Sequence, residues 1–143
     1  MNLDSLTQCL DLFPHTKRVE IRHKINSFLY FYEIKASEIE KAVKMKKQEK
    51  GAFQNLVFLI SIEEKGVKKT INKLVRDKIP TIISQSGRTA DFMVLGKKHN
   101  ESRSLLKAKL DEETAELINT KNRKEAIEEL ADVITVLEAL RLC

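Results

Sequence analysis

The spacing of apolar side chains changes period along this chain, and each change marks an element. In residues 4–13 (DSLTQCLDLF) and 18–33 (RVEIRHKINSFLYFYE) apolar positions recur at helical intervals, with Pro14 as a break between the two segments. A third helix opens at Ser37: Glu40, three residues on, completes a capping-box pattern, and Gly51 supplies the stop. The period then switches. NLVFLISI (55–62) and VKKTI (67–71) flank EEKG (63–66), which predicts two strands around a turn. KLVRDKIPTIISQSG resumes a helical pattern from about Lys78, with Pro80 in the first turn and Gly87 at the far end. TADFMVLG has the make-up of a short strand.

From residue 100 onward the pattern is clearest. Leu105, Leu106, Leu110, Leu117 and Ile118 form one apolar stripe, and Ile127, Leu130, Ile134, Leu137 and Leu140 form another. Between them Asn122, with Glu125 three residues later, reads as an N-cap with a capping box. The pattern predicts two antiparallel helices joined by a short turn. The fold class expected is mainly α, a helical bundle with a small β-hairpin.

Composition bounds the rest. A chain of 143 residues, 33% charged and 42% hydrophobic with four Gly and two Pro, fits one globular domain with a real core. The longest apolar run, LVFLISI, is too short to span a bilayer, and MNLDSLTQCLDLF lacks a basic segment leading into a long apolar one. A cytoplasmic protein without a membrane partner is expected. Cys9 and Cys143 show neither CxxC spacing nor a His companion and read as reduced thiols. His15, His23 and His99 are isolated and read as surface or cap residues.

Net charge is +5, but it is unevenly divided. Residues 1–71 carry 13 positive and 9 negative side chains, residues 72–100 carry 6 and 2, and residues 101–143 carry 7 and 10. The positive charge is dispersed among Glu-rich helices without a nucleic-acid motif, so nucleic acid is not an expected partner. A solvated surface, or cations near an anionic ligand, accounts for it.

The acids are concentrated instead. LDEETAELINTKNRKEAIEELADV (110–133) holds eight carboxylates. Glu113 and Glu116 share one helix face by their spacing of three, as do Glu129 and Asp132. An antiparallel hairpin can bring the two pairs opposite each other beside the apolar stripes. Four such carboxylates raise one another's pKa unless a cation intervenes, and hard oxygen ligands select Mg2+, with Mn2+ as a substitute. The bland alternative is an exposed face paired with Lys107, Lys109, Lys124 and Arg141. No Gly-rich phosphate loop and no GxSxG nucleophile motif is present.

ExxE at Glu113–Glu116, then ExxD at Glu129–Asp132, resembles the all-alpha NTP pyrophosphatases of the MazG-like superfamily. NKLVRDKIPTIISQSG and the helix KLDEETAEL, from Lys109, resemble its phosphoribosyl-ATP pyrophosphohydrolase-like branch. The resemblance covers Asn72 to about Leu140. It implies Mg-dependent hydrolysis of a nucleoside triphosphate to the monophosphate and pyrophosphate. Glu113, Glu116, Glu129 and Asp132 would be metal ligands, and Glu112, with Glu113, a catalytic carboxylate able to orient a water. Lys73, Arg76, Lys78 and Lys109 are the candidates for phosphate contacts, against a surface turn with Arg76 paired to Asp77. A homodimer or homotetramer is the family's expectation. A nucleotide-sensing or partner-binding module that retains the bundle without turnover is the alternative.

In that branch the ExxD helix continues into a further helix and a tail ending in a GGF motif and a short strand. Here INSFLYFYEIKASEIEKAVKMKKQEKGAFQNLVFLI, containing KGAF at Lys50–Phe53, resembles that tail placed in front. The expected order is therefore a circular permutation within a single domain 1–143, residues 1–71 standing for the tail and 72–143 for the metal-binding core. In that order Lys44, Lys47 and Lys50 gain a place near the nucleotide; otherwise they form a lysine-rich exposed face.

Overall fold

A computed structural model describes residues 14–96 and 101–141. Within them run α1 (His15–Phe31), α2 (Ala36–Lys50), β1 (Leu56–Glu64), β2 (Val67–Val75), α3 (Ile79–Gln85), β3 (Thr89–Leu95), α4 (Ser102–Ile118) and α5 (Arg123–Arg141). The helix expected at 4–13, both cysteines and His99 lie outside the described residues. The protein is mainly helical with a small antiparallel sheet. No helix among the described residues is long and apolar enough to cross a membrane.

The α4–α5 hairpin starts as its sequence dictates. Asn122 Oδ1 accepts the Glu125 N–H at 2.9 Å, the predicted cap. The Glu125 carboxylate accepts the N–H of Lys121, not of Asn122, at 3.0 Å, so the reciprocal half of the box reaches one residue further back. Leu106, Leu110 and Leu117 of α4 are fully buried with Leu130, Leu137 and Leu140 of α5. Ile118 leaves the stripe and is exposed. Helix α5 is the centre of the bundle: it is buried almost all round from Leu130 to Leu140, with α4 on one side and α2 on another.

The N-cap of helix α2 lies two residues earlier than the expected Ser37. Lys35 is its N-cap, and Glu38 rather than Glu40 accepts the cap N–H, at 2.9 Å. The reason is tertiary: Glu33 turns the chain at φ 52°, Ile34 drops into the core, and that anchor moves the first turn forward. Gly51 ends the helix at φ 88° as predicted.

The hairpin loop is Lys65–Gly66, both at positive φ (50° and 79°), with Glu64 facing Val67. Two such residues give the tight turn whose twist suits antiparallel strands. The expected two-stranded hairpin is, however, only part of a three-stranded sheet. Strand β3 pairs antiparallel with the other side of β1, giving the order β2-β1-β3. A lone hairpin is marginal in water, and the third strand together with core burial of Leu56 and Leu95 stabilises it. The expected division at residues 71 and 72 falls inside β2. Pairing of β1 with β2 is what a permuted order needs, and an unpermuted hairpin gives the same pairing.

The sheet matters to the site because of where it sends the chain. After Val75 the backbone clasps the end of α2: Asp77 N–H donates to Ala52 O (2.9 Å), Ala52 N–H to Asp77 Oδ1 (3.2 Å), and Lys78 N–H to Lys50 O (3.1 Å). A Cβ on Gly51 would lie 1.9 Å from Asp77 Oδ1, so the clasp demands glycine there in space as well as in φ. This clasp delivers Arg76 to α5.

Candidate functional site

The two facing helices bring the four predicted carboxylates together. Oxygens of Glu113, Glu129 and Asp132 lie within 4.8 Å of one another, and so do oxygens of Glu112, Glu113 and Glu116. Glu113, buried on α4, belongs to both groups and is their hinge. Glu129 and Asp132 are half-buried on α5, and Glu116 is exposed.

Their environments differ sharply. Both oxygens of Asp132 hold a cation: Arg76 Nη2 donates to Oδ1 at 2.7 Å and Lys46 Nζ to Oδ2 at 2.8 Å. Glu113 has Lys109 alone, at 3.3 Å, and its Oε2 is buried with no hydrogen-bond partner among the described residues. Glu129 Oε2 is buried and unpartnered in the same way. Burial pushes the Glu113 carboxyl up to about 7, opposed by Lys109 and assisted by Asp132 and Glu116. Burial also pushes Glu129 up to about 8, reinforced by the charges of Asp132, Glu113 and Glu116 and by a hydrogen bond with Glu116.

Of the basic residues, Arg76 is the most deeply placed. It is 7% exposed, donates to Gly51 O (2.9 Å) and Thr135 Oγ1 (3.3 Å) besides Asp132, and its guanidinium lies 5.8 Å above the Phe53 ring. Its partner is thus Asp132, not the neighbouring Asp77, which is engaged in the clasp. Lys109 bridges Glu112 and Glu113, both at 3.3 Å, and Lys73 reaches Glu112 at 3.5 Å. Lys78 does not join them: its Nζ donates to Gln48 O at 3.0 Å, capping the end of α2. Lys47 pairs with Glu138 at 2.6 Å, and exposed Lys50 closes α2 through its backbone carbonyl.

Lys46, Thr135 and Glu138 are functional neighbours that sequence reasoning does not single out. A signal for two of them is present, since Glu129, Asp132, Thr135 and Glu138 form one row of polar residues spaced by three along α5. Lys46 has none: its partner is 86 residues away, and the register of α2 against α5 is a tertiary matter.

Chemically the cluster offers a divalent cation hard oxygen donors from two rigid helices, two of them buried and unsatisfied. Asp132 retains accepting capacity, because a carboxylate has about four lone-pair directions and two are in use. Glu113 with Glu129 and Asp132, and Glu113 with Glu112 and Glu116, thus form two groups of hard oxygen donors of the kind magnesium and manganese take. Comparison of the chain with protein-family models, with curated proteins and with solved structures gives no match.

Proposed function

We propose that the protein is a magnesium-dependent nucleoside triphosphate pyrophosphohydrolase, acting as a homodimer or homotetramer and converting a nucleoside or deoxynucleoside triphosphate and water to the monophosphate and pyrophosphate. The observation that carries this reading is the pair of buried, unpartnered oxygens on Glu113 and Glu129 within one cluster of carboxylates. Buried polar atoms are almost always satisfied, and a buried carboxyl without a partner either keeps its proton, as the raised values of Glu113 and Glu129 reflect, or gives it up to a cation.

A bound magnesium would supply an activated water and offset the charge of the departing pyrophosphate. The chain's own residues do the remainder. Glu113, Glu116, Glu129 and Asp132 would hold the ion, and Glu129, whose carboxyl burial pushes up to about 8, would give up its proton when it binds. Glu112, held by Lys73 and Lys109, would orient the water and take its proton. Lys73, exposed and 3.5 Å from Glu112, and Lys109, which bridges Glu112 and Glu113 at 3.3 Å, would be the cations that turn to phosphate oxygens. Arg76, buried and bonded to Gly51 O, Thr135 Oγ1 and Asp132, would position Asp132 instead.

Replacing Glu129 by Ala is expected to lower pyrophosphate release by on the order of 10³-fold at saturating Mg2+. Undiminished release by that variant would overturn the assignment.

One observation favours a second reading. Asp132 already carries two cations of the protein's own, as in a cluster that senses a nucleotide without turning it over. A rise in melting temperature with nucleotide and Mg2+, without product, would select that reading.

A further inference from the structure

Next to the carboxylate cluster, between α2, the Ala52–Gln54 segment and α5, lies a cavity of about 200 Å³. Its polar lining is Lys47, Gln54, Thr135 and Glu138, and its apolar walls are Ala52, Phe53 and Ala139. We propose that this cavity is a nucleobase site selective for guanine; the inference rests on the nucleotide reading of the adjacent cluster.

The cavity and the cluster share a wall. Arg76 Nη2 donates to Asp132 Oδ1 on one side and to Thr135 Oγ1 on the other. From Asp132 to Glu138 the helix rises about 9 Å, the scale that separates a base from its phosphates in a nucleotide. The volume is below the ~300 Å³ at which whole-ligand pockets begin, and so suits a ring system whose sugar and phosphates lie outside.

Guanine is selected by the number of donors and acceptors. Lys47 Nζ sits 2.6 Å from Glu138 Oε2. Lysine only donates and an ionised carboxylate only accepts, so the pair offers this cavity one donor and two acceptor oxygens. Guanine presents the complement, acceptor, donor, donor, in O6, N1–H and the 2-amino group. Adenine and cytosine place a ring-nitrogen lone pair beside a single amino group. Uracil and thymine place one N–H between two carbonyls. Each of these leaves a Glu138 oxygen facing a lone pair or nothing, and a site built for a hydrogen bond rejects the ligand that lacks it.

The test is calorimetric titration of the full chain, with Mg2+, against dGMP, dIMP and dAMP, alongside pyrophosphate release from dGTP and dATP. dGMP is expected to bind about 10-fold more tightly than dIMP, which lacks the 2-amino group, and roughly 100-fold more tightly than dAMP. Glu138→Gln exchanges one acceptor for a donor. It is expected to weaken dGMP about 10-fold and to gain affinity for dXMP, whose 2-oxo group accepts. A gain of that kind cannot come from a damaged fold, and the wild-type series needs no variant. Affinities for dGMP and dAMP within about threefold of each other, or an unaltered preference in Glu138→Gln, would overturn the guanine site. Equal pyrophosphate release from dGTP and dATP removes the guanine site and leaves the hydrolase. Selective dGMP binding without pyrophosphate from any nucleotide removes the hydrolase and leaves the site.

Discussion

Asp132 and Glu129 sit one turn apart on the same helix and face the same buried Glu113, yet their electrostatic conditions are opposite. Asp132 is held by Arg76 and Lys46 at 2.7 and 2.8 Å, whereas Glu129 has a buried oxygen without a partner among the described residues and a carboxyl pushed up to about 8 by burial. One half of the cluster is a finished ion-pair network that fixes α2, the Gly51–Asp77 clasp and α5 relative to one another. The other half is left incomplete on the same rigid frame. Charge in this cluster is not balanced as a whole: the Asp132 side is paired, and the Glu113 and Glu129 side keeps a buried oxygen on each residue without a partner among the described residues.

The sharpest way to break the comparison is to make the same carboxylate-to-amide change on each side. Asp132→Asn leaves Arg76 buried beside a neutral group and is expected to cost roughly 3 kcal/mol of stability. Glu129→Gln removes an anion the fold does not compensate and is expected to raise the melting temperature of the metal-free protein at pH 8. Denaturant melts of both variants check this, and equal losses would erase the distinction. Gly51→Ala attacks the frame itself: its Cβ meets Asp77 Oδ1 and its φ of 88° disfavours a side chain, for an expected loss of about 2 kcal/mol.

pH separates the two halves without mutation. Glu113 and Glu129 titrate near 7 and 8 in the folded protein, above the ordinary carboxyl value of 4.5. The folded protein then holds more protons than the unfolded chain in this window, so stability is greatest at its acid end and falls as pH rises through both values. Allowing for solvent screening at the half-buried Glu129, the metal-free melting temperature is expected to fall by roughly 5 °C from pH 5 to pH 8.5. Saturating Mg2+ is expected to remove most of the fall. The smallest effect belongs to an ion pair outside the cluster: Arg123 grips both oxygens of Glu38 at 2.7 and 2.6 Å on the surface, where water and salt screen the pair. Glu38→Ala also removes the acceptor for the Lys35 N–H, and is expected to lower the melting temperature by roughly 2 °C. A melt that ranks this loss above that of Asp132→Asn would contradict the primacy of the buried network.

What is legible in the sequence is local. The α4 and α5 stripes apart from Ile118, the Asn122 cap, the Gly51 stop and a turn within Glu63–Gly66, tightened to Lys65–Gly66, each depend on a few neighbouring residues. The carboxylates meet because helical spacing and a short antiparallel turn leave them little choice. What is not legible depends on packing between distant segments. TADFMVLG reads as a strand, but nothing in it announces that β1 is its partner. Glu38 displaces Glu40 as the capping acid because Ile34 anchors the chain before α2. Lys78 groups with Arg76 by sequence, yet the clasp turns it toward Gln48 O while Arg76 enters the core. Lys46 reaches Asp132 because α2 packs on α5.

Completion of the uncompensated half of the cluster by a divalent cation during nucleotide hydrolysis is tested most directly by measuring pyrophosphate release. The full chain would be incubated with a panel of unmodified and modified nucleoside triphosphates, with Mg2+ and with chelator. Pyrophosphate and monophosphate are expected in equal amounts from at least one nucleotide with Mg2+, and neither with chelator. Pyrophosphate absent across the panel with Mg2+ bound, or released equally with chelator, would contradict that completion.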